Sequence, residues 1–413
     1  MKLILNNVGK ITKADIEING LTVIAGVNGT GKSTVSKSLY AMFRSFYSIP
    51  KTVRREKKNA IERRYYNVGS SEFIDLVLFD SKFTSSELTN ILVAQDSLDK
   101  IFKIFEEYGL RKEDFGEPFV ELCSQILHIN QLSEKAVLKE VVENIFRTEF
   151  YNNINNIFEN NNAEITLKIK NDELSVYFHD NDLVDIGEKY FSLNYEPVYI
   201  DDPFIVDRRN QRGIIFNPLN DDTHRSFLLS QYQRKKIVEF NAVEELLQKE
   251  NLQLIFEKIE EILNEKEIEY SYDGDNSSKT YIDINNLSSG MKTFYLLKTL
   301  LTNGCIVSNA PVILDEPEVH LHPEWQLILA EIIVLLQKEL SLHFLINTHS
   351  PYFLRAIEVY SNKHKIYDKV KFYEAKKVNT HNTIIEPVVD IKQIYKSLTQ
   401  PLKIIELERG ASL

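Results

Sequence analysis

Three short segments of the chain contain residue types that bind and cleave phosphate groups. They are residues 26–33 (GVNGTGKS), residues 287–292 (LSSGMK) and residues 312–318 (VILDEPE). Glycines allow backbone N–H groups to approach a phosphate, lysine supplies a cation, and acids at a strand end can bind a metal ion and orient water. The combination predicts a site for a nucleoside triphosphate.

The first segment matches the phosphate-binding loop motif G-x-x-x-x-G-K-[ST] in full. We expect Lys32 to reach the β- and γ-phosphate oxygens and the Ser33 hydroxyl to bind Mg²⁺. A buried strand at 21–25 precedes the motif and helical spacing follows it, which disfavours a glycine turn without a ligand. The residues predicted to contact ATP are Gly26, Asn28, Gly29, Thr30, Gly31, Lys32, Ser33 and Thr34.

The third segment is an apolar strand that ends in two acids, Asp315 and Glu316. Strands of a parallel sheet present their C-terminal side chains at the edge where ligands bind. Asp315 is therefore expected to bind Mg²⁺, directly or from its outer coordination sphere, and Glu316 to polarise the attacking water. A surface junction capped by acids is the alternative, and the glycine loop disfavours it.

His349 is a further candidate for the same site, because it follows a strand in the segment INTHSP. An imidazole at this edge of the sheet can contact the γ-phosphate and respond to its presence. A histidine at a strand end is commonly an ordinary hydrogen-bonded residue. Its place in the order of the motifs, after Asp315 and Glu316, favours the functional interpretation.

The middle segment predicts a second anion site at the start of a helix. Ser288, the Ser289 side chain and the Gly290 amide would bind the anion there. One triphosphate does not need two such sites in one fold, so we expect this segment to cover a nucleotide held by a second copy. A simple helix cap is the alternative, which the spacing of about 25 residues to Asp315 disfavours.

The elements around these segments predict an α/β fold. Short strands at 3–8 and 11–18 precede the loop, and strands alternate with helices from residue 291 onward. The N-terminal part (1–90) and the C-terminal part (285–413) should share one composite sheet of antiparallel strands and a parallel core. Residues 91–284 are predicted to form an inserted, mainly helical lobe and connector. Residues 73–79 predict a further core strand, and 267–272 with 279–284 a hairpin.

The composition restricts the class of protein. The chain has 413 residues and a formal net charge of −11, so the molecule as a whole does not attract nucleic acid. Residues 51–64 nevertheless hold seven basic and two acidic side chains, a candidate contact for a phosphate backbone or else a solvated loop. The two cysteines and the absence of an apolar run of membrane-spanning length predict a cytoplasmic protein without a membrane partner.

These motifs resemble those of the ABC-type ATPases of the SMC, RecF and OLD group, over roughly residues 1–90 and 280–400. Within that group, LDEPEVHLHPEWQ, INTHSPYFLRA and IYKSLTQPL are similar to the ATPases of bacterial antiphage systems, the Septu (PtuA) family and its retron-linked relatives. The resemblance implies an ABC-type P-loop NTPase head that binds ATP and Mg²⁺ and forms a dimer or higher oligomer. The residues that take the roles given above are Lys32, Ser33, Ser289, Asp315, Glu316 and His349.

The resemblance also implies partners. Such ATPases act with an HNH nuclease (PtuB-like) and in some systems with a retron reverse transcriptase and its DNA. The group has a glutamine after an early core strand that contacts Mg²⁺, where this chain has Asp80. The OLD proteins carry a nuclease domain after the ATPase; about 60 residues follow His349 here and they contain no D-x-D pair, so we expect no intrinsic nuclease.

Two other functions remain open at this point. A repair or recombination clamp of the RecF or SMC kind would bind duplex DNA through residues 51–64. A transporter ATPase subunit is disfavoured, because the interval between Ser33 and Leu287 is very long and its helical pattern is unlike a compact docking surface.

Overall fold

The computed structural model describes residues 1–67, 85–107, 112–156, 158, 162–210, 223–234, 242–264, 268–271, 280–400, 404–405 and 407–408. The chain divides into two compact units. The larger unit comprises Met1–Arg44, Glu143–Tyr190 and Tyr195–Leu413, and the smaller comprises Ser45–Val142 and Phe191–Asn194.

The larger unit is built on an eleven-stranded mixed sheet with the order β6-β5-β4-β1-β2-β13-β12-β3-β11-β10-β7. The strands are β1 Lys2–Val8, β2 Ile11–Glu17, β3 Leu21–Ala25, β4 Asn162–Ile169, β5 Asp172–His179, β6 Asp182–Asp185, β7 Val198–Ile200, β8 Ile268–Ser271, β9 Thr280–Asp283, β10 Pro311–Asp315, β11 His343–Thr348, β12 Val370–Lys377 and β13 Thr383–Val388. Strands β8 and β9 form a separate pair.

The sheet has a parallel half and an antiparallel half. Strands β12, β3, β11, β10 and β7 run parallel, whereas β6, β5, β4, β1 and β2 are antiparallel neighbours. The parallel strands β3 and β10 are buried along their whole length, as expected for strands covered on both faces. The predicted composite sheet, antiparallel at the N-terminus and parallel in its core, is confirmed.

The described helices are α1 Lys32–Phe46, α2 Ile49–Asn67, α3 Ser85–Leu92, α4 Leu98–Glu107, α5 Lys112–Gln131, α6 Glu134–Phe150, α7 His224–Gln233, α8 Ala242–Leu263, α9 Ser289–Thr302, α10 Pro323–Leu340, α11 Pro351–Lys363 and α12 Lys392–Leu398. Helices α8, α9, α10 and α11 bury their apolar residues in one core with β3, β10 and β11. Within the ranges that the structure describes, every helix is too short or too polar to cross a bilayer.

The smaller unit is helical and has a core of its own. Its buried side chains come from α2, α3, α4 and α5, among them Phe105, Phe119 and Ile126. Helix α5 is interrupted at Gly116, whose φ is +63°. Helices predominate in this part of the chain, as the sequence predicts.

The two compact units divide the chain at positions that differ from the predicted boundaries. Strands β4 to β7 lie within the predicted lobe 91–284, yet they belong to the large sheet, because β4 pairs with β1 and β7 pairs with β10. The smaller unit comprises Ser45–Val142 and Phe191–Asn194 instead. Local patterns identify strands such as β4 but cannot indicate that they pair with a strand near the N-terminus.

Three further predictions concern local elements. The hairpin predicted at 267–284 is wrong, because β8 and β9 pair in parallel. Turn residues between two short strands do not fix the direction of pairing. The strand predicted at 73–79 and Asp80 lie outside the described residues. Residues 51–64 belong to helix α2 rather than to a solvated loop.

Candidate active site

The glycine loop connects β3 to α1 in the larger unit, at the C-terminal edge of the parallel strands. Gly31 has a φ of +79°, a conformation that favours glycine. A Cβ at Gly26 would lie 2.9 Å from the carbonyl oxygen of Ala375 on β12, so the neighbouring strand leaves room only for glycine. The loop is therefore held close to the sheet edge with its N–H groups at the start of α1.

Lys32 is buried within the loop, with 4% of its surface exposed. Its Nζ donates to the carbonyl oxygens of Gly26 at 2.9 Å and Val27 at 3.2 Å. The same Nζ lies 3.5 Å from Oε1 of Glu316. A buried ammonium requires partners of this kind, so the contacts place the positive charge of the loop beside the acid.

Glu316 follows β10 directly, and its backbone turns sharply there with a φ of +52°. Its N–H donates to the carbonyl oxygen of Asn347 at 2.9 Å, which holds the turn against β11. The Oε1 atom lies 3.2 Å from Nδ1 of His349 as well as close to Lys32. Glu316 therefore stands between a lysine and a histidine that come from two other parts of the chain.

Asp315, the last residue of β10, is 9% exposed and is held through both carboxylate oxygens. Oδ1 accepts a hydrogen bond from Nδ2 of Asn347 at 2.9 Å, and Oδ2 accepts one from the hydroxyl of Tyr199 at 3.1 Å. Asn347 Nδ2 also lies 2.8 Å from Oγ of Ser36 on α1. These contacts fix the orientation of the carboxylate next to the glycine loop.

A second acid, Glu318, holds the segment that carries His349. Its Oε1 accepts hydrogen bonds from the hydroxyl of Thr348 and from the N–H of His349. Glu318 is 2% exposed, and its Oε2 atom has no hydrogen-bond partner among the described residues. Burial raises the pKa of Glu318, because the ionised form loses the solvation of water.

Two clefts meet at the glycine loop and Glu316. One, of about 560 Å³, is lined by Gly9, Lys10, Asn28, Gly29, Thr30, Gly31, Lys32, Ser33, Thr34, Asn153, Asn155, Phe158 and Glu316. The other includes Ser33, Asp201, Asp315 and Glu316 at its polar end. Asn28 to Thr34 of the glycine loop, Asp315 and Glu316 thus line two clefts that share Ser33 and Glu316.

Behind Asp315 lies a buried network of charged and aromatic side chains. The ring of His224 stacks on Tyr199 at 4.0 Å and lies between two acids, with Nδ1 2.7 Å from Glu149 and Nε2 3.0 Å from Asp201. Arg225 donates to both oxygens of Asp201. The network fixes the position of Tyr199, whose hydroxyl in turn orients Asp315.

The pKa values in this network follow from the competition between burial and pairing. Burial alone would raise the pKa of Asp201, but hydrogen bonds from His224 and Arg225 outweigh it and lower the pKa to about 2. Burial would lower the pKa of His224, yet its bonds to Asp201 and Glu149 raise it. Burial, reinforced by the charge of Asp315, raises the pKa of Tyr199, so it remains a donor.

The middle motif caps helix α9. Ser288 is the N-cap residue and accepts a hydrogen bond from the N–H of Met291 at 3.4 Å, and Ser289 is partly exposed. Gly290 packs on the indole of Trp325, where an added Cβ would lie 2.9 Å from Cε3 and Cζ3. The glycine therefore has a packing reason as well, which the sequence pattern did not reveal.

Several residues of the site were not identified from the sequence. Tyr199, Asn347, Glu318 and Asp201 each touch or flank a predicted residue. Asn347 and Glu318 stand within the motifs themselves, so their position two residues from His349 and Glu316 was an available signal. Asp201 follows β7 as Asp315 ends β10, and the pairing of these two strands explains why both reach the same cleft.

Residues 21–355 match a family model described as "AAA domain, putative AbiEii toxin, Type IV TA system". The match spans more than half of the chain and contains the glycine loop, Asp315 and His349. The chain belongs to this family. This AAA-domain membership agrees with the strand-loop-helix that carries Lys32 and with the acids at the end of β10, which is separated from β3 by β11.

The comparison with curated proteins found no match to this AAA-domain chain. The comparison with solved structures found three SMC heads of similar architecture. An SmcHead bound to the C-winged helix domain of ScpA is 12% identical with a TM-score of 0.39, covering 95% of this chain and 98% of that one. The SMC head domain from Thermotoga maritima is 13% identical with a TM-score of 0.35, covering 94% and 98%. A Smc head bound to a ScpA domain derived from Pyrococcus furiosus is 10% identical with a TM-score of 0.29, covering 99% and 98%. Superpositions this loose add nothing to the fold assignment.

Proposed function

We propose that the protein is an ATPase that binds ATP with Mg²⁺ beside the glycine loop and cleaves its γ-phosphate. The observation that carries the proposal is the position of the Glu316 carboxylate, 3.5 Å from the Lys32 ammonium and 3.2 Å from Nδ1 of His349. The Lys32 ammonium can bind a phosphate, the Glu316 carboxylate can orient a water molecule, and the His349 imidazole can contact the γ-phosphate. The Lys32 and His349 groups both lie within 3.5 Å of the carboxylate.

The residues of the cleft fit a triphosphate and its metal ion. Gly29 has no atom within 4 Å of the place where a Cβ would stand, so the loop is open on that side. The exposed residue Ser33 and the residue Asp315 line the same cleft, and hydroxyl and carboxylate oxygens are ligands that Mg²⁺ prefers. Bound Mg²⁺ would neutralise part of the phosphate charge. We assign the metal to Ser33 and Asp315.

The residues of the protein contribute to the reaction by positioning the reacting groups and by stabilising the charge on the phosphates. Lys32 donates to phosphate oxygens once its ammonium turns from the two loop carbonyls. Glu316 orients the attacking water and takes up its proton, while His349 donates to the γ-phosphate. Tyr199 and Asn347 keep Asp315 in one orientation. Rates of phosphoryl transfer depend mainly on such placement.

A pair of lysine variants tests the binding step. Lys32→Ala should abolish ATP binding measured by calorimetry, because the loop loses its cation. Lys37→Ala is the matched control, since Lys37 lies further along α1 and donates to the carbonyl oxygen of Glu149 instead. Equal ATP affinity of Lys32→Ala and the wild type would refute the proposal.

We also propose that two copies pair around ATP, so that Ser288, Ser289 and Gly290 of one copy contact the triphosphate held by the other. Support comes from the N-terminus of α9, where Ser289 is partly exposed and the first N–H groups of a helix attract anions. In such a pair each ATP lies between a glycine loop and the serine segment of its neighbour.

Mixing two inactive variants tests whether Ser289 acts on the other copy. Lys32→Ala and Ser289→Arg should each lack ATPase activity alone. A mixed dimer would contain one intact site, formed by the glycine loop of one variant and the serine segment of the other. Recovered activity on mixing supports the pair, whereas no recovery with dimers present would show that Ser289 acts within its own copy or not at all.

The biological role that we propose is antiphage defence, in which the ATPase controls an HNH nuclease partner. The support is the resemblance of the motifs to defence ATPases and a family description that names a toxin of a type IV toxin–antitoxin system. A retron reverse transcriptase and its DNA are further candidate partners. An adjacent gene for an HNH protein that co-purifies with this chain supports the role. Loss of phage protection should follow Glu316→Gln, and unchanged protection would contradict it.

Helix α2 supports a second candidate function, a clamp on duplex DNA of the RecF or SMC kind. Its exposed basic residues are Lys51, Arg54, Arg55, Arg63 and Arg64. Lys57 is unsuitable, because its ammonium donates to the carbonyl oxygens of Asn130 and Leu132. Replacing Arg55, Arg63 and Arg64 by glutamate should abolish DNA binding and reduce its salt dependence. Unchanged binding would remove this candidate.

A further inference from the structure

We propose that the base of the bound nucleotide, a purine, stacks on the ring of Phe158. This inference rests on the proposed ATPase function, and it assigns the part of the cleft that the triphosphate does not use. The glycine loop, Ser33 and Asp315 account for the phosphates and the metal ion. Nothing in those residues explains how the protein would bind the apolar, aromatic end of ATP.

Phe158 lies in the wall of the same cleft as the glycine loop. The same cleft is also lined by Lys10, Asn153 and Asn155 and by the glycine-loop residues Asn28 to Thr34. The ring is 55% exposed, so part of its surface is accessible to a ligand in the cleft. A phenyl ring that is exposed in a cleft large enough for a nucleotide offers a flat surface on which a purine base can stack.

One face of the Phe158 ring is already covered. The ring of His381 stacks on it with 3.8 Å between centroids and an angle of 25° between planes. Phe158 is among the residues that line the cleft and His381 is not, so we assign the face opposite His381 to the base.

Hydrogen bonds hold the segment that carries Phe158. The side-chain oxygen of Asn156 accepts from the N–H of Phe158 at 3.0 Å, and Asn156 Nδ2 donates to Asn382 at 3.1 Å. The N–H of Gly9 donates to the carbonyl oxygen of Ile154 at 2.8 Å. The ring is therefore attached to the β1–β2 turn and to the segment of His381, both beside the glycine loop.

The chemistry of the wall suits a purine nucleoside. Stacking on an aromatic ring depends on π-surface and is stronger for the two fused rings of a purine than for a pyrimidine. Asn153 is exposed in the same cleft; its Nδ2 donates to the carbonyl oxygen of Tyr151 at 2.8 Å, and its side-chain oxygen offers an acceptor for the polar edge of the base. Lys10 provides a cation on the side of the β1–β2 turn. Phe158, Asn153 and Lys10 would therefore bind the nucleoside, and the glycine loop would bind the phosphates.

Two ligands separate the base from the phosphates, namely ATP and inorganic tripolyphosphate, each with Mg²⁺. For the wild type, calorimetry should show tighter binding of ATP. Phe158→Ala should lose about tenfold or more in ATP affinity and leave tripolyphosphate affinity unchanged. Phe158→Trp should restore ATP binding. Tyr177→Ala is the matched control, since Tyr177 is an exposed aromatic residue on β5 outside the cleft, and it should bind both ligands as the wild type does.

The possible results are distinct. Equal ATP affinity of Phe158→Ala and the wild type, with normal thermal unfolding of both, would overturn the base site and leave the proposed ATPase intact. Equal weakening of both ligands in Phe158→Ala would also overturn it, because the ring would then act on the loop rather than on the base. A wild type that binds neither ligand would refute the proposed function together with this inference.

Discussion

Nδ1 of His349 lies 3.2 Å from Oε1 of Glu316, although the two residues follow different strands. The relationship is set by the sheet, because β10 and β11 are parallel neighbours in which Asp315 pairs with Asn347. The N–H of Glu316 then donates to the carbonyl oxygen of Asn347. Any shift of β11 against β10 would separate the histidine from the acid, so the register of two strands determines the geometry of the site.

Glu318 should control the position of His349 through the hydrogen bond to its N–H. Glu318→Ala removes the acceptor for both Thr348 and His349, and we expect kcat for ATP to fall by about 10- to 100-fold with little change in KM. Glu318→Gln keeps an acceptor oxygen and should retain most of kcat. If the alanine and glutamine variants are equally impaired, the acid does not act by positioning the histidine.

The pH dependence of stability gives a second test of Glu318. Its pKa is raised by burial, so the native state holds this proton more tightly than the unfolded state. The free energy of unfolding should therefore fall as pH rises from about 4.5, the ordinary glutamate value, through the raised pKa. Glu318→Gln should lack this fall in urea unfolding curves measured from pH 4 to 9. Identical curves for the two proteins would show that the carboxyl is not protonated on folding.

Tyr199→Phe should weaken Mg²⁺ binding without a change in the ligands themselves. The variant removes the hydroxyl that donates to Oδ2 of Asp315 and leaves a buried carboxylate oxygen without its donor. We expect about a tenfold higher Mg²⁺ concentration for half-maximal ATPase activity, and a loss of about 1–3 kcal/mol of stability. Tyr373→Phe is the control, because Tyr373 accepts a hydrogen bond from Glu17 elsewhere in the sheet. A Mg²⁺ titration that matches the wild type would exclude an orienting role for Tyr199.

His224 should make the larger unit less stable at alkaline pH. Its pKa is raised above the ordinary 6.5 by the bonds to Asp201 and Glu149, which outweigh burial. The stabilisation is fully present below about 6.5 and is lost as pH rises through the folded-state pKa. His224→Asn should unfold with a much smaller pH dependence between pH 6 and 9. An unchanged slope would mean that the histidine is neutral between the two acids.

Gly290→Ala separates the packing role of this glycine from its proposed contact with ATP. The added methyl group would meet the Trp325 ring at 2.9 Å, and overpacking of this kind costs about 1–3 kcal/mol. Combining it with Trp325→Leu should restore stability, measured by thermal unfolding. If the Gly290 amide also contacts ATP, the double variant should remain impaired in ATPase activity. Full recovery of activity would leave only the packing role.

The sequence predicts those parts of the fold and site that depend on local pattern. Strand β3 is found as predicted, at 21–25, because an apolar run followed by glycines has few alternatives. The glycine loop and the acids after β10 follow from strand ends, where the polar side chains of a parallel sheet collect. His349 could be predicted for the same reason.

The remaining features depend on contacts between distant parts of the chain. Tyr199 and Asp315 are 116 residues apart, and only the pairing of β7 with β10 brings the hydroxyl to the acid. The same reasoning applies to Phe158, which reaches the cleft because its segment is bonded to Gly9 and Asn382. Likewise, β4 to β7 lie within the predicted lobe 91–284 but pair within the large sheet, which a local pattern does not show.

The most direct test of the account is a single-turnover measurement of ATP hydrolysis by Glu316→Gln. With enzyme in excess, the variant should bind ATP as tightly as the wild type and cleave it at least about 100-fold more slowly. It should also stabilise the ATP-bound pair of copies, which light scattering would detect. Hydrolysis at the wild-type rate by a variant that binds ATP normally would show that the carboxylate between Lys32 and His349 does not activate the water.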